Sequence, residues 1–159
     1  MYSAPLISEE VAVKCLHQVS IKDLGFLYSC LDIYPEHSEV ILKLADLVQR
    51  AVQIYLARAS KAPDDDISIL VQLFLIEASL FNAASPGGHI LIWPFFIVGA
   101  ECSLEEDRDF VTEQLKSLWR FTGFGNTLYA IELLNKIWHG EYGGCWTEVL
   151  GEKVQGFIM

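Results

Sequence analysis

Glu77 and Glu101 are the residues whose surroundings first suggest chemistry, since each sits in a strongly apolar stretch that reads as helix. A carboxylate buried in such a stretch needs a partner, or it holds its proton to higher pH than usual. Two readings follow. One is a structural ion pair between Glu101 and Arg108, which lies about two helical turns further on, across the turn at Ser103. The other is acid/base catalysis by Glu101, Glu77 or His89 in a small helical enzyme, of isomerase or cyclase type, acting on a hydrophobic metabolite. Shape and one carboxylate suffice for such chemistry. The aromatic residues Trp93, Phe95, Phe96, Trp119, Trp138 and Trp146 supply either core packing or the walls of a pocket for an apolar ligand or partner. His89, Trp93, Phe96, Glu101 and Trp138 together form the candidate ligand or partner pocket.

Other chemistry lacks its residues. The chain has no phosphate-binding G-x-x-x-x-G-K-[ST], no G-x-G-x-x-G and no G-x-S-x-G, and Gly123-Phe124-Gly125 follows no strand. His17, His37, His89 and His139 fall on separate segments, and Cys15, Cys30, Cys102 and Cys145 form no C-x-x-C. No metal, cofactor or catalytic constellation is expected, and the thiols read as free in a reducing compartment.

Composition narrows the partners. The 159 residues carry 11 Lys and Arg against 21 Asp and Glu, a net charge of -10 with no two basic residues adjacent, so this chain is not expected to contact DNA or RNA. Its 52% hydrophobic content and mean hydropathy of +0.32 are high, which points to apolar surface meeting a protein partner, a second copy or a small apolar ligand. The longest uncharged apolar run, 90–100, is about half a membrane span and contains Pro94. The N-terminus has no basic or apolar leader pattern, and the expected location is intracellular.

The elements that must position these residues are helices, because apolar spacing of 3–4 recurs nearly everywhere and strand-like alternation almost nowhere. A first helix is expected over 8–19 and a short one near 22–31. A long central helix runs from a Ser38 cap to about Ser60, with Ile41, Leu44, Val48, Ala51, Ile54 and Tyr55 on its main stripe. Asp64-Asp65-Asp66 opens a helix to about 83, with Ile67, Leu70, Val71, Phe74, Leu75, Ala78 and Phe81 inward, and a loop follows at 85–88. A buried helix over 90–102 carries Pro94 in its first turn. Ser103-Leu104-Glu105-Glu106 fits a capping box for the next helix, with Val111, Leu115, Leu118 and Trp119 inward and Gly123 at its stop. Asn126 caps the last clear helix, whose inner face is Leu128, Ile131, Leu134 (or Leu133), Ile137 and Trp138, ending at Gly140. A weaker helix holds Trp146, Val149 and Leu150. The expectation is one all-α domain over 1–159, a bundle of about six to seven helices.

The string His89-Ile90-Leu91-Ile92-Trp93-Pro94-Phe95-Phe96-Ile97-Val98-Gly99-Ala100-Glu101 resembles the H-x-L-x-W-P segment of the fungal-specific transcription factor domain, the regulatory region of binuclear zinc-cluster transcription factors. Arg108, the stretch from Gly123 through Asn126 to Trp138, the Ala51–Ala57 segment and Trp146 match the family in order and with compatible spacing. The resemblance implies a helical regulatory domain that corresponds to the family's C-terminal half. Such a domain binds a partner, itself or a small apolar effector, and is nuclear when it acts within a transcription factor. The six-cysteine zinc cluster that contacts DNA in that family has no counterpart here.

Overall fold

The computed structural model describes residues 25, 27–81, 88–141 and 146. The expected helix over 8–19 and most of the tail from Cys145 lie outside these residues. Helical turns at 27–33, here α1, lead through a 3₁₀ turn at Pro35–His37 into α2, Ser38–Ala59. Then come α3 at Asp64–Ser79, a 3₁₀ turn at Gly88–Leu91, α4 at Ile92–Glu101, α5 at Glu105–Thr122 and α6 at Gly125–Trp138. Among the described residues there is no strand, and the architecture is all-α as expected.

The long helix α2 buries Ile41, Leu44, Leu47, Val48, Ala51, Ile54 and Tyr55, the expected stripe widened by Leu47. That width lets one helix serve two neighbours, and α2 packs against both α3 and α4. The aspartates at 64–66 occupy the first turn of α3, where the positive end of the helix dipole favours them. Inside α4 only Trp93, Ala100 and Glu101 escape full burial, because the helix lies among α2, α3, α5 and α6. Pro94 is its third residue, where a missing N–H costs no intrahelical bond.

Gly99 explains how these helices approach so closely. A Cβ built there would sit 2.9 Å from Val111 Cγ1 and 3.0 Å from Leu134 Cδ1, so neighbouring side chains occupy the space that any larger residue would need. The Gly99 carbonyl also accepts a 2.9 Å hydrogen bond from Trp138 Nε1, which fastens the end of α6 to α4. Gly123 at φ 70° and Gly140 at φ 75° take the left-handed conformation expected of them after α5 and α6.

Several expectations are corrected. No side-chain cap forms at α5 or α6: the N-cap positions are Leu104 and Phe124, so Ser103 lies outside its helix and Asn126 one residue inside the start of its own. Ser38 likewise begins α2 instead of capping it, and α3 stops at Ser79. Trp119 is 40% and Leu128 45% exposed, whereas Leu133 and Leu134 are buried and Ile131, Ile137 and Trp138 pack partly buried against the core as expected; Thr127 and Ala130 complete the buried face of α6. The contacts with Gly99 set that rotation, because they draw Leu134 to the α4 backbone.

Candidate functional site

The ends of α2, α4 and α6 and the starts of α3 and α5 converge on an open groove of about 640 Å³. Its walls include Arg58, Asp64, Asp65, Ser68, Glu101, Arg108, Trp138 and Trp146. The turn between α2 and α3 brings the first two walls together: Ala62 N–H bonds the Ala57 carbonyl, Lys61 takes φ 59°, and Asp64 Oδ1 then accepts from Arg58 Nη1 at 3.1 Å.

Glu101 is the buried charge of the groove floor, with its side chain 3% exposed. Its guanidinium partner is Arg58, not the expected Arg108. Arg58 Nε donates to Oε1 at 2.9 Å and Oε2 at 3.1 Å, and Nη2 donates to Oε2 at 2.9 Å. Trp146 Nε1 adds a further donor to Oε1 at 2.8 Å. These hydrogen bonds to Glu101 raise the Arg58 pKa against the opposing effect of burial. Arg108 fails to reach Glu101 because the chain reverses between α4 and α5: its Nε donates 2.9 Å to the Cys102 carbonyl, and its guanidinium lies 5.3 Å from the Trp138 ring centre. Cys102 is buried beside this turn, and desolvation pushes its thiol up to about 12.

The candidate pocket residues therefore separate. Glu101 and Trp138 face the groove. Phe96 is fully buried behind it and meets the Trp146 ring edge-on at 6.4 Å. Trp93 is half-buried at the start of α4, and His89 is exposed at the opposite end of that helix, against Phe124 at 6.2 Å. Counting helical rise, His89 and Glu101 are about 18 Å apart. Nor does Glu77 join them: it sits between α2 and α3 in ionic contact with Arg50, which also reaches Asp46 at 3.3 Å. Burial raises the Glu77 pKa, helped by the hydrogen bond and charge of Asp46; the same hydrogen bond lowers Asp46. The acid/base candidates thus occupy three separate places, and the groove carboxylate is already neutralised by a guanidinium.

Arg58 and Asp64 are the site residues that sequence reasoning did not single out, and Trp146 appeared only as an aromatic. No local signal marks Arg58, since its partner lies 43 residues away. Among the described residues no group of three or more His, Cys, Asp or Glu could hold a metal ion, and no helix is long and apolar enough to cross a membrane.

No curated protein and no solved structure matches the chain. One family model does, over residues 14–159, a span that includes α4 with its Gly99 junction and Glu101 terminus, and it is the family that the stretch around Trp93-Pro94 resembles. The chain belongs to the fungal-specific transcription factor domain family.

Proposed function

We propose that this regulatory domain works as an effector-binding module, with the groove at Arg58, Glu101, Arg108 and Trp138 as its binding site. The observation that supports this reading is the convergence of five helix ends on one open groove of about 640 Å³, a size that suits a small organic molecule. The lining mixes indole and aliphatic surface with guanidinium and carboxylate groups, so the ligand is amphipathic, with an apolar body and a polar edge, instead of wholly apolar. The Nη atoms of Arg108 are its natural anchor, because among the described residues that guanidinium donates only through Nε, and it is already stacked on Trp138.

Regulation follows from the location. A ligand that touches α3, α5 and α6 favours one arrangement of these helix ends by as much as its affinities for the arrangements differ. Nucleic acid is not the target of this acidic chain, and the nucleus is the place of action when it works within a transcription factor. Titration with a panel of aromatic and aliphatic carboxylates, read by tryptophan fluorescence and melting temperature, tests the proposal. Binding should raise the melting temperature of the wild type and vanish in Ser68→Trp, which fills the groove from the exposed side. Binding that is unchanged in Ser68→Trp and in Arg108→Met would place the ligand elsewhere.

A further inference from the structure

Helix α3 has apolar residues on two sides. Ile67, Val71, Phe74, Leu75 and Ala78 face the core, yet Ile69, Leu73, Ile76 and, just past the helix, Leu80 are exposed at 60, 44, 60 and 79%. At 100° per residue these four fall within a sector of about 60°, a single stripe along the outer face. Between Asp66 and Glu77 the helix carries no charge at all. A helix apolar all round is normally covered on all sides, and α3 lies at the edge of the bundle, packed on α2 and less extensively on α4.

We propose that this stripe is a self-association surface on which a second copy of the chain docks, α3 against antiparallel α3. The spacing is that of a helix-pairing seam, with steps of four, three and four residues. It also reads the same in both directions: a two-fold axis midway between Phe74 and Leu75 sets Leu73 opposite the other copy's Ile76, and Ile69 opposite its Leu80. Such self-complementarity is what a two-fold interface requires. Charge selects the direction. An antiparallel pair holds the two Asp64–Asp66 clusters about 28 Å apart along the helix axis, beyond two screening lengths, whereas a parallel pair would lay them side by side.

The area is adequate as well. The exposed parts of these four side chains amount to roughly 400 Å² per copy, and two copies with flanking Leu70, Gln72 and Ser79 reach about 1,000 Å², the lower bound of a specific interface. This surface lies outside the groove lining, so the inference does not depend on the proposed effector site.

Sedimentation of the full chain between ~1 and ~200 μM tests it, over the range expected for an interface of this size. The expected mass at the upper end is twice the 17.9 kDa of one chain. Leu73→Glu/Ile76→Glu should be monomeric with an unchanged helical circular dichroism spectrum, while Leu42→Glu, on the exposed face of α2, stays dimeric. Should the double variant misfold, Ile69→Gln and Leu80→Gln at the ends of the seam serve instead and should weaken the dimer at least tenfold. For direction, an oxidised mixture of Ile69→Cys and Leu80→Cys chains should cross-link above the wild-type background, and Leu80→Cys alone should not. A monomeric wild type at ~200 μM, a dimer that survives the seam substitutions, or a dimer equally lost in Leu42→Glu overturns the proposal.

Discussion

Replacing Arg58 by Met isolates what holds a carboxylate at the floor of the groove. Methionine keeps most of the aliphatic stem but removes three of the described hydrogen bonds to Glu101, leaving the one from Trp146. With its side chain 3% exposed, Glu101 then becomes an uncompensated buried charge. Breaking a buried pair from one side costs about 3–5 kcal/mol. Arg58 is 32% exposed, so water can occupy part of the vacated space and the lower end, about 3 kcal/mol, is expected. For a chain of this size that corresponds to a fall in melting temperature of about 6–12 °C.

Leucine at both positions behaves differently, because no charge is then left to solvate. Arg58→Leu/Glu101→Leu should lie within about 1 kcal/mol of the wild type, and the cycle built with the two single leucine variants should give a coupling of about 2–3 kcal/mol. Denaturant unfolding at 25 °C measures each member. Arg108→Met is the internal control: it loses one hydrogen bond to a carbonyl and one stacking contact, about 1–2 kcal/mol. An Arg58→Met cost below about 1 kcal/mol, or below that of Arg108→Met, would refute the assignment of Arg58 as the partner of Glu101.

Gly99→Ala should cost about 1–3 kcal/mol through its contact with Val111, and Val111→Ala in the same chain should recover part of that loss in a denaturant midpoint assay. Thr127 is fully buried, with no hydrogen-bond partner for Oγ1 among the described residues, so Thr127→Val should stabilise by about 1 kcal/mol; a loss of similar size would reveal a partner. Glu77 has its pKa raised in the fold, so its contribution is complete below the ordinary value of 4.5 and is lost as pH rises through the raised value. The stability of Glu77→Gln relative to wild type should therefore improve between pH ~4.5 and ~7, and parallel curves for the two proteins would contradict the shift. The lowered Asp46 works the other way, with stability present above its ordinary 3.8 and lost on acidification.

How much of this was legible beforehand depends on the range of each interaction. Helix class and the glycine stops follow from neighbours within a few residues: Gly123 and Gly140 have the expected left-handed conformation, and the aspartates at 64–66 open α3. Caps were less legible, although their motifs are local. Ser103-Leu104-Glu105-Glu106 has the right composition for a capping box, but Ser103 belongs to the reversal that connects two tightly packed helices, where Arg108 bonds the Cys102 carbonyl. Tertiary packing sets that backbone and overrides the motif. Leu128 is the one expected inner residue of α6 that turns outward, for the same reason: periodicity gives the width of a stripe, and the packing of Leu134 beside Gly99 fixes where it points.

The partner of Glu101 shows why a site is harder to read than a fold. Sequence reasoning identified the buried carboxylate from its apolar surroundings, a local property, and correctly required a cation for it. It then chose Arg108, the basic residue nearest along the chain. What decides the pairing is the packing of α2 against α4, which brings their C-terminal ends and residues 43 apart together, and the approach of Trp146 from 45 residues away. The need for a partner was written in the stretch around Glu101; its identity was not, because burial is a demand a residue makes of its surroundings and only the packed helices can answer it. An argument from sequence can thus commit to a buried charge being satisfied, and the Arg58 and Arg108 variants measure which residue satisfies it.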